Sequence, residues 1–328
     1  MPRKEAESRA RRRDERSIRR GGRRDRPRPR ISGIRIAGIE LAVSGIPHQG
    51  LKFANPLYRR FRVPAAPHRA DQRIDIRMRC SAYPEPRGKE MLFDTEEAWA
   101  LYGDRAHFWV VYRPPRYEKP FWVAAFDRRV TRVEYFSEPL PPVGGKTPAK
   151  IVHPVGYPLD QLLLMYFLAR RRGILTHAAG LVRGGRAYLF AGASGAGKST
   201  LSALLAKAGI GKMLSDERMI VREVQGEMTA FGTPWAGTAG IARGGSAPLA
   251  GILFLAHGKS HRMQQLDPAA ALDRLLPLAS IPWYDPDAAA PIIAFAKDML
   301  ARIPACEFRF APDPSAVEFF ERRMRTPA

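Results

Sequence analysis

Cysteine is nearly absent: Cys80 and Cys306 are the only two in 328 residues, far apart and without metal-ligand spacing around either. A disulfide framework or a cysteine-built zinc site therefore has no material here, and both thiols are expected reduced and buried in a cytoplasmic protein. Long apolar runs are also missing. The stretch "LLLMYFLA" at 162–169 is far short of a membrane span and runs into Arg170-Arg171-Arg172, as a core helix with a basic end would. No apolar segment follows the N-terminal charges, so a secretory signal is not expected. Acidic residues are sparse, 32 Asp and Glu against 54 Lys and Arg, for a formal charge of +22. That excess invites a nucleic-acid partner, yet +9 of it sits in residues 1–30, which hold 14 basic and 5 acidic residues. The tail "RARRRDERSIRRGGRRDRPRPR" has no aromatics and no β-branched runs, so it is expected to be disordered. It would be free for non-specific contacts with nucleic acid or anionic lipid, and its five acids argue against a mitochondrial presequence. Arg outnumbers Lys, and Ala, Gly and Pro abound, as in chains from GC-rich bacterial genomes.

What is present divides the rest of the chain in two. Residues 31–145 are β-rich: "GIRIAGIELAV", "RIDIRMRC", "HFWVVYR" and "FWVAAFD" have strand composition, with Pro-containing breaks between them. The Pro-, Gly- and Lys-dense "SEPLPPVGGKTPAK" at 137–150 reads as a linker. In 151–328, "YPLDQLLLMYFLARRRG" predicts a helix stopped at Gly173. "ILTHAAGLV" and "RAYLFAGA" predict strands joined at Gly184-Gly185, and a helix is expected at roughly 198–209. "MLSDERMIVREV" is strand material around an acidic pair, "EMTAFGTPWAG" a strand entering a loop, and "PLAGILFLAH" a buried strand. Helices are expected at 268–279, 287–302 and 313–324, with "CEFRF" a strand between the last two. Alternating strand and helix predict an α/β domain.

Between the second of those strands and its helix, Gly192-Ala193-Ser194-Gly195-Ala196-Gly197-Lys198-Ser199 matches G-x-x-x-x-G-K-[ST] in full, with Thr200 following. Glycines let the backbone turn its amides to one point, and the following helix offers its positive end to phosphate oxygens. Lys198 is expected to reach the β- and γ-phosphates and Ser199 to ligate magnesium. Asp216-Glu217 comes only 18 residues after Lys198. Such a pair can hold magnesium, orient a nucleophile or accept its proton, and Asp216 is the stronger candidate. His177, 15 residues before Gly192, belongs on the neighbouring strand, either as a core histidine or as a group that assists proton movement near the γ-phosphate. N-K-x-D and L-S-G-G-Q are both missing, which argues against a GTPase and a transporter ATPase. The apolar run 249–255 ends in Ala-His-Gly rather than in the acid of motor ATPases. A small phosphotransferase with an unusually close acid is left.

The order of histidine strand, "GASGAGKST" and "LSDE" resembles the HPr kinase/phosphorylase catalytic domain and its related kinases, which share a core with ATP-dependent phosphoenolpyruvate carboxykinase. The resemblance covers about residues 155–320. It implies a P-loop-containing, HPr-kinase/carboxykinase-like C-terminal α/β domain behind the β-rich N-terminal domain and the basic tail. It also implies Mg²⁺ and ATP as cofactors, a protein or peptide partner carrying an acceptor serine, and a homo-oligomer. Lys198 and Ser199 carry over directly, His177 matches the family histidine, and Asp216 takes the place of the base. Magnesium would fall to Ser199, Asp216 and Glu217, although Glu217 stands where the family has Asp. In place of the family's protein-gripping signature stands "GTPWAGTAGIARGG", whose Arg243 is a candidate phosphate contact. Two other readings stay open: a carboxykinase-like enzyme acting on a small acid, and a nucleotide-binding regulatory or accessory protein that transfers nothing.

Overall fold

A computed structural model describes residues 32–46, 51–64, 72–81, 83–115, 119–137 and 151–325. The expected disordered tail 1–30, and all of the expected linker but its first residue, lie outside the described residues. The segment "GIRIAGIELAV" makes a hairpin rather than one strand. Ala37 and Gly38, at φ 52° and 76°, form a two-residue turn between β1 (Ser32–Ile36) and β2 (Ile39–Ser44), whose twist suits the flanking strands. Seven more strands follow: β3 (Arg62–Val63), β4 (Arg73–Arg79), β5 (Glu90–Asp94), β6 (Trp99–Gly103), β7 (His107–Tyr112), β8 (Trp122–Asp127) and β9 (Arg132–Phe136). They complete a nine-stranded sheet in the order β3-β1-β2-β4-β9-β8-β7-β6-β5. In β4 the alternation is plain, with Ile74, Ile76 and Met78 buried and the polar residues between them outward.

Helix α1 (Leu159–Ala169) is apolar apart from Asp160 and Gln161, and all of it but Gln161 is buried, as suits a helix between two layers. Its Tyr166 packs on Phe108 and Phe126 of the first sheet, while the helix also lies against the first strand of a second sheet. That sheet comprises β10 (Gly173–Arg183), β11 (Arg186–Ala191), β12 (Lys212–Ser215), β13 (Arg218–Val224), β14 (Glu227–Phe231), β15 (Ser246–His257), β16 (Arg262–Leu266) and β17 (Ala305–Phe310). Its order is β11-β10-β13-β14-β15-β17-β16, with β12 also on β10 and β11 also on β15. Helices α2 (Lys198–Ala208), α3 (Pro268–Leu275), α4 (Pro286–Arg302) and α5 (Ser315–Arg325) complete the described chain.

The class is mixed α/β, rich in strands. Strict strand–helix alternation does not hold: most pairings are antiparallel, and in this sheet only β11–β15 and β15–β17 are parallel. Beyond the tail, the described residues form one compact unit. One hydrophobic cluster runs through both sheets and α1, and a smaller one, with Phe190, Leu201, Leu205, Phe308 and Phe320, lies beneath α2 and α5. The expected helix at 268–279 ends early, at Leu275, and continues as a 3₁₀ turn over Leu276–Leu278, where Pro277 cannot donate to the α-helical ladder. The cysteines correct another expectation. Both are free, but Cys80 is exposed just past the end of β4, and Cys306 is half-buried on β17, where burial pushes its thiol pKa up. Among the described residues no helix is long and apolar enough to cross a membrane.

Candidate functional site

Strand β10 changes partners in mid-course. His177 faces Arg218, the first residue of β13, and the next residue, Ala178, faces Ala191, the last of β11. The glycine loop therefore leaves β11 beside His177. Strand β12 ends at Ser215, opposite Gly180, so Asp216-Glu217 is the two-residue link between β12 and β13 at the same split. These segments open on one cleft of about 670 Å³, together with Ala236, Gly237, Thr238 and His257.

The loop has the backbone geometry that a phosphate cradle would need. Gly195 and Gly197 have φ of 82° and 93°, the left-handed region that glycine enters without penalty. A Cβ on Gly197 would also stand 2.8 Å from Phe310 Cζ. Gly197 begins α2, whose first-turn amides have no partner within the helix. Ser194, Gly195, Gly197, Lys198, Ser199 and Thr200 line the cleft, and Gly192, Ala193 and Ala196 do not. Lys198 Nζ donates to the carbonyls of Gly192 (2.8 Å) and Ala193 (3.0 Å), and burial lowers its pKa. Ala196 N–H donates to Ala193 O at 3.1 Å. On the other side of that peptide, Gly195 O lies 2.6 Å from His257 Nε2. A carbonyl only accepts, so Nε2 carries the proton.

The two acids separate. Asp216 is fully buried: its Oδ1 accepts from Gly237 N–H (3.0 Å) and Ile241 N–H (3.1 Å), and its Oδ2 from Ala239 N–H (2.7 Å). Glu217 instead lines the cleft, its Oε1 2.9 Å from His177 Nε2, close though out of line for a regular hydrogen bond. Burial, followed by the Lys198 charge, lowers the His177 pKa against the pull of Glu217, and so favours a neutral imidazole. The expectation that put Asp216 at the phosphates thus meets a carboxylate whose acceptor sites are taken up by a loop. Arg243 does not line the cleft either; its side chain is exposed and its backbone N–H donates to Leu214 O at 2.8 Å.

That loop, residues 232–245, is tied at several points. Trp235 Nε1 lies 2.9 Å from both Asp160 Oδ2 and Tyr58 Oη, and Tyr58 Oη donates to Asp160 Oδ2 at 2.5 Å. Burial raises the pKa of Asp160, which is fully enclosed, to about 6. Arg60 Nη1 donates to Ala242 O at 3.0 Å. At the loop's cleft side Thr238 Oγ1 lies 3.0 Å from Ser199 Oγ. Thr238, Asp160 and Tyr58 escape sequence reasoning, because nothing local marks a lone Thr or a helix-borne Asp as part of a site. His257 left a trace, as the residue standing where an acid closes the corresponding strand in motor ATPases.

No family model matches the chain, and no curated protein matches it. Among solved structures, the Hpr(Ser) kinase/phosphatase from Coxiella burnetii is similar over 46% of this chain and 95% of its own, at 13% identity and a TM-score of 0.28. That likeness is too slight to build on, and the cleft is read from its own geometry.

Proposed function

We propose that the cleft binds a magnesium–nucleoside triphosphate, ATP in the first instance, and transfers the γ-phosphoryl group to a serine hydroxyl on a protein or peptide. The observation that carries this reading is the meeting of the glycine loop, the N-terminus of α2, His177 and Glu217 on one cleft. Phosphate oxygens would take the unpaired amides of α2, and Lys198 Nζ would exchange two loop carbonyls for them. Magnesium suits the hard oxygen donors here, with Ser199 Oγ as a protein ligand, and when bound it neutralises charge on the transferring group. The base is assigned to Glu217 rather than to Asp216, because Glu217 alone of the pair lines the cleft. The acceptor oxygen attacks the γ-phosphorus, the bond to the β-phosphate oxygen breaks, and the acceptor's proton passes to the Glu217 carboxylate. Neutral His177, 2.9 Å away, can take it on. Positioning and electrostatics supply most of the rate.

Incubating the full chain with [γ-³²P]ATP and a lysate of the source cells tests this. A labelled protein band is expected, and Lys198→Ala should abolish it together with nucleotide binding. Label on a small metabolite would point to the carboxykinase-like reading, and binding without label to an accessory protein.

A further inference from the structure

Ser199 and Thr238 belong to different elements, 39 residues apart in sequence, yet their hydroxyl oxygens stand 3.0 Å apart at the edge of the cleft. Two oxygens on neighbouring corners of a magnesium octahedron, each about 2.0–2.1 Å from the ion, are separated by about 2.8–3.0 Å. The spacing therefore fits a shared ion as well as it fits the hydroxyl–hydroxyl hydrogen bond.

Thr238 is also held more firmly than an exposed side chain on a surface loop requires. The residues on either side of it, Gly237 and Ala239, both donate their N–H groups to the buried Asp216 carboxylate, and Ile241 adds a third bond. Three residues before it, Trp235 is bonded to the buried Asp160 and to Tyr58. A Cβ on Gly237 would lie 2.9 Å from Glu217 Oε2, so Glu217 packs directly against this turn. One enclosed carboxylate thus holds the backbone on both sides of the hydroxyl, and a second anchors the Trp235 side chain at the start of the turn, which together set Thr238 against Ser199.

Resting on the phosphotransferase reading above, we propose that Thr238 is a second protein ligand of the nucleotide's magnesium, beside Ser199. Asp216 is the positioning residue that aims it. The two hydroxyls bond each other; toward a magnesium ion each would turn its proton away and offer a lone pair. The remaining positions fall to phosphate oxygens and water, as magnesium prefers.

The test uses the full chain and the fluorescent nucleotide MANT-ATP, titrated with saturating magnesium and again in EDTA. In the wild type magnesium should tighten binding at least about fivefold, the lower end of ordinary ligand coupling. Thr238→Val, which keeps the shape and loses the hydroxyl, should lose most of that enhancement while its affinity in EDTA stays at the wild-type value. Thr238→Ser should restore it. By reciprocity, ATP should raise Mn²⁺ affinity, followed by electron paramagnetic resonance, less in Thr238→Val than in the wild type. Equal magnesium enhancement in Thr238→Val and wild type overturns the inference and leaves the nucleotide reading standing. Failure of the wild type to bind MANT-ATP under either condition overturns both.

Discussion

At the residue scale, the link between β12 and β13 is so short that consecutive carboxylates must leave it in opposite directions, Asp216 into a loop and Glu217 into the cleft. Glu217→Gln keeps the size and removes the proposed base. It should lower phosphoryl transfer by about 10²–10⁴ with MANT-ATP affinity little changed. Asp216→Ala leaves three amides without their acceptor and should cost about 1–3 kcal/mol or more in urea denaturation. His153 carries a pH prediction. It is buried, its ring stacks on Phe53 at 4.1 Å, and its Nδ1 accepts from Val155 N–H. Burial and then Arg62 push its pKa from 6.5 down to about 3. Across that window the unfolded chain holds a proton the folded chain refuses, so stability falls as pH drops. Asp160 works the other way between about 6 and 3.8, since the folded chain there takes up its proton first. His153→Gln keeps an acceptor without the titration and leaves the Asp160 dependence unopposed, so from about pH 6 to 4 its urea midpoint should rise relative to the wild type's as pH drops. The glycine loop was legible because its chemistry is local. The ranking of Asp216 over Glu217 was not, because it turns on where the amides of a loop more than 20 residues further on come to lie.

At the element scale, residues 232–245 act less as a connection between β14 and β15 than as one wall of the cleft. Trp235→Phe removes the donor shared by Asp160 and Tyr58 and should cost about 1–3 kcal/mol. Hydrogen exchange at 236–241 should quicken, while exchange in the strand pairs of β10 and β11 changes little. Most elements of this half could be read from the chain: β10 and β11 meet at the Gly184-Gly185 turn, and α2 runs from Lys198 to a left-handed Gly209. The β1–β2 turn escaped notice because only Gly38 of its two residues signals a bend. The division of β10 among three partners also has no local mark: one apolar strand pattern serves β13, β12 and β11 alike.

At the scale of the whole molecule, both sheets bury their apolar faces in one cluster with α1 between them. Sequence composition marked a β-rich half and a mixed half, but composition says nothing of the long-range packing of Tyr166 on Phe108. A shared core predicts shared unfolding. Tryptophan fluorescence and far-ultraviolet circular dichroism should report one coincident urea transition, with Trp122 in the first sheet and Trp235 in the loop reporting together in single-tryptophan variants. Two separated transitions would show the sheets to be independent.

Tyr58 ties that shared core to the cleft. It lies on the 3₁₀ turn Pro56–Phe61, which leads straight into the edge strand of the first sheet, yet its hydroxyl closes the Asp160–Trp235 network that steadies the cleft wall. Among the described residues, the β-rich half thus supports the cleft wall without lining the cleft itself. A partner that grips or shifts that half has a mechanical route of a few bonds, through Tyr58 and Trp235, to the hydroxyl of Thr238.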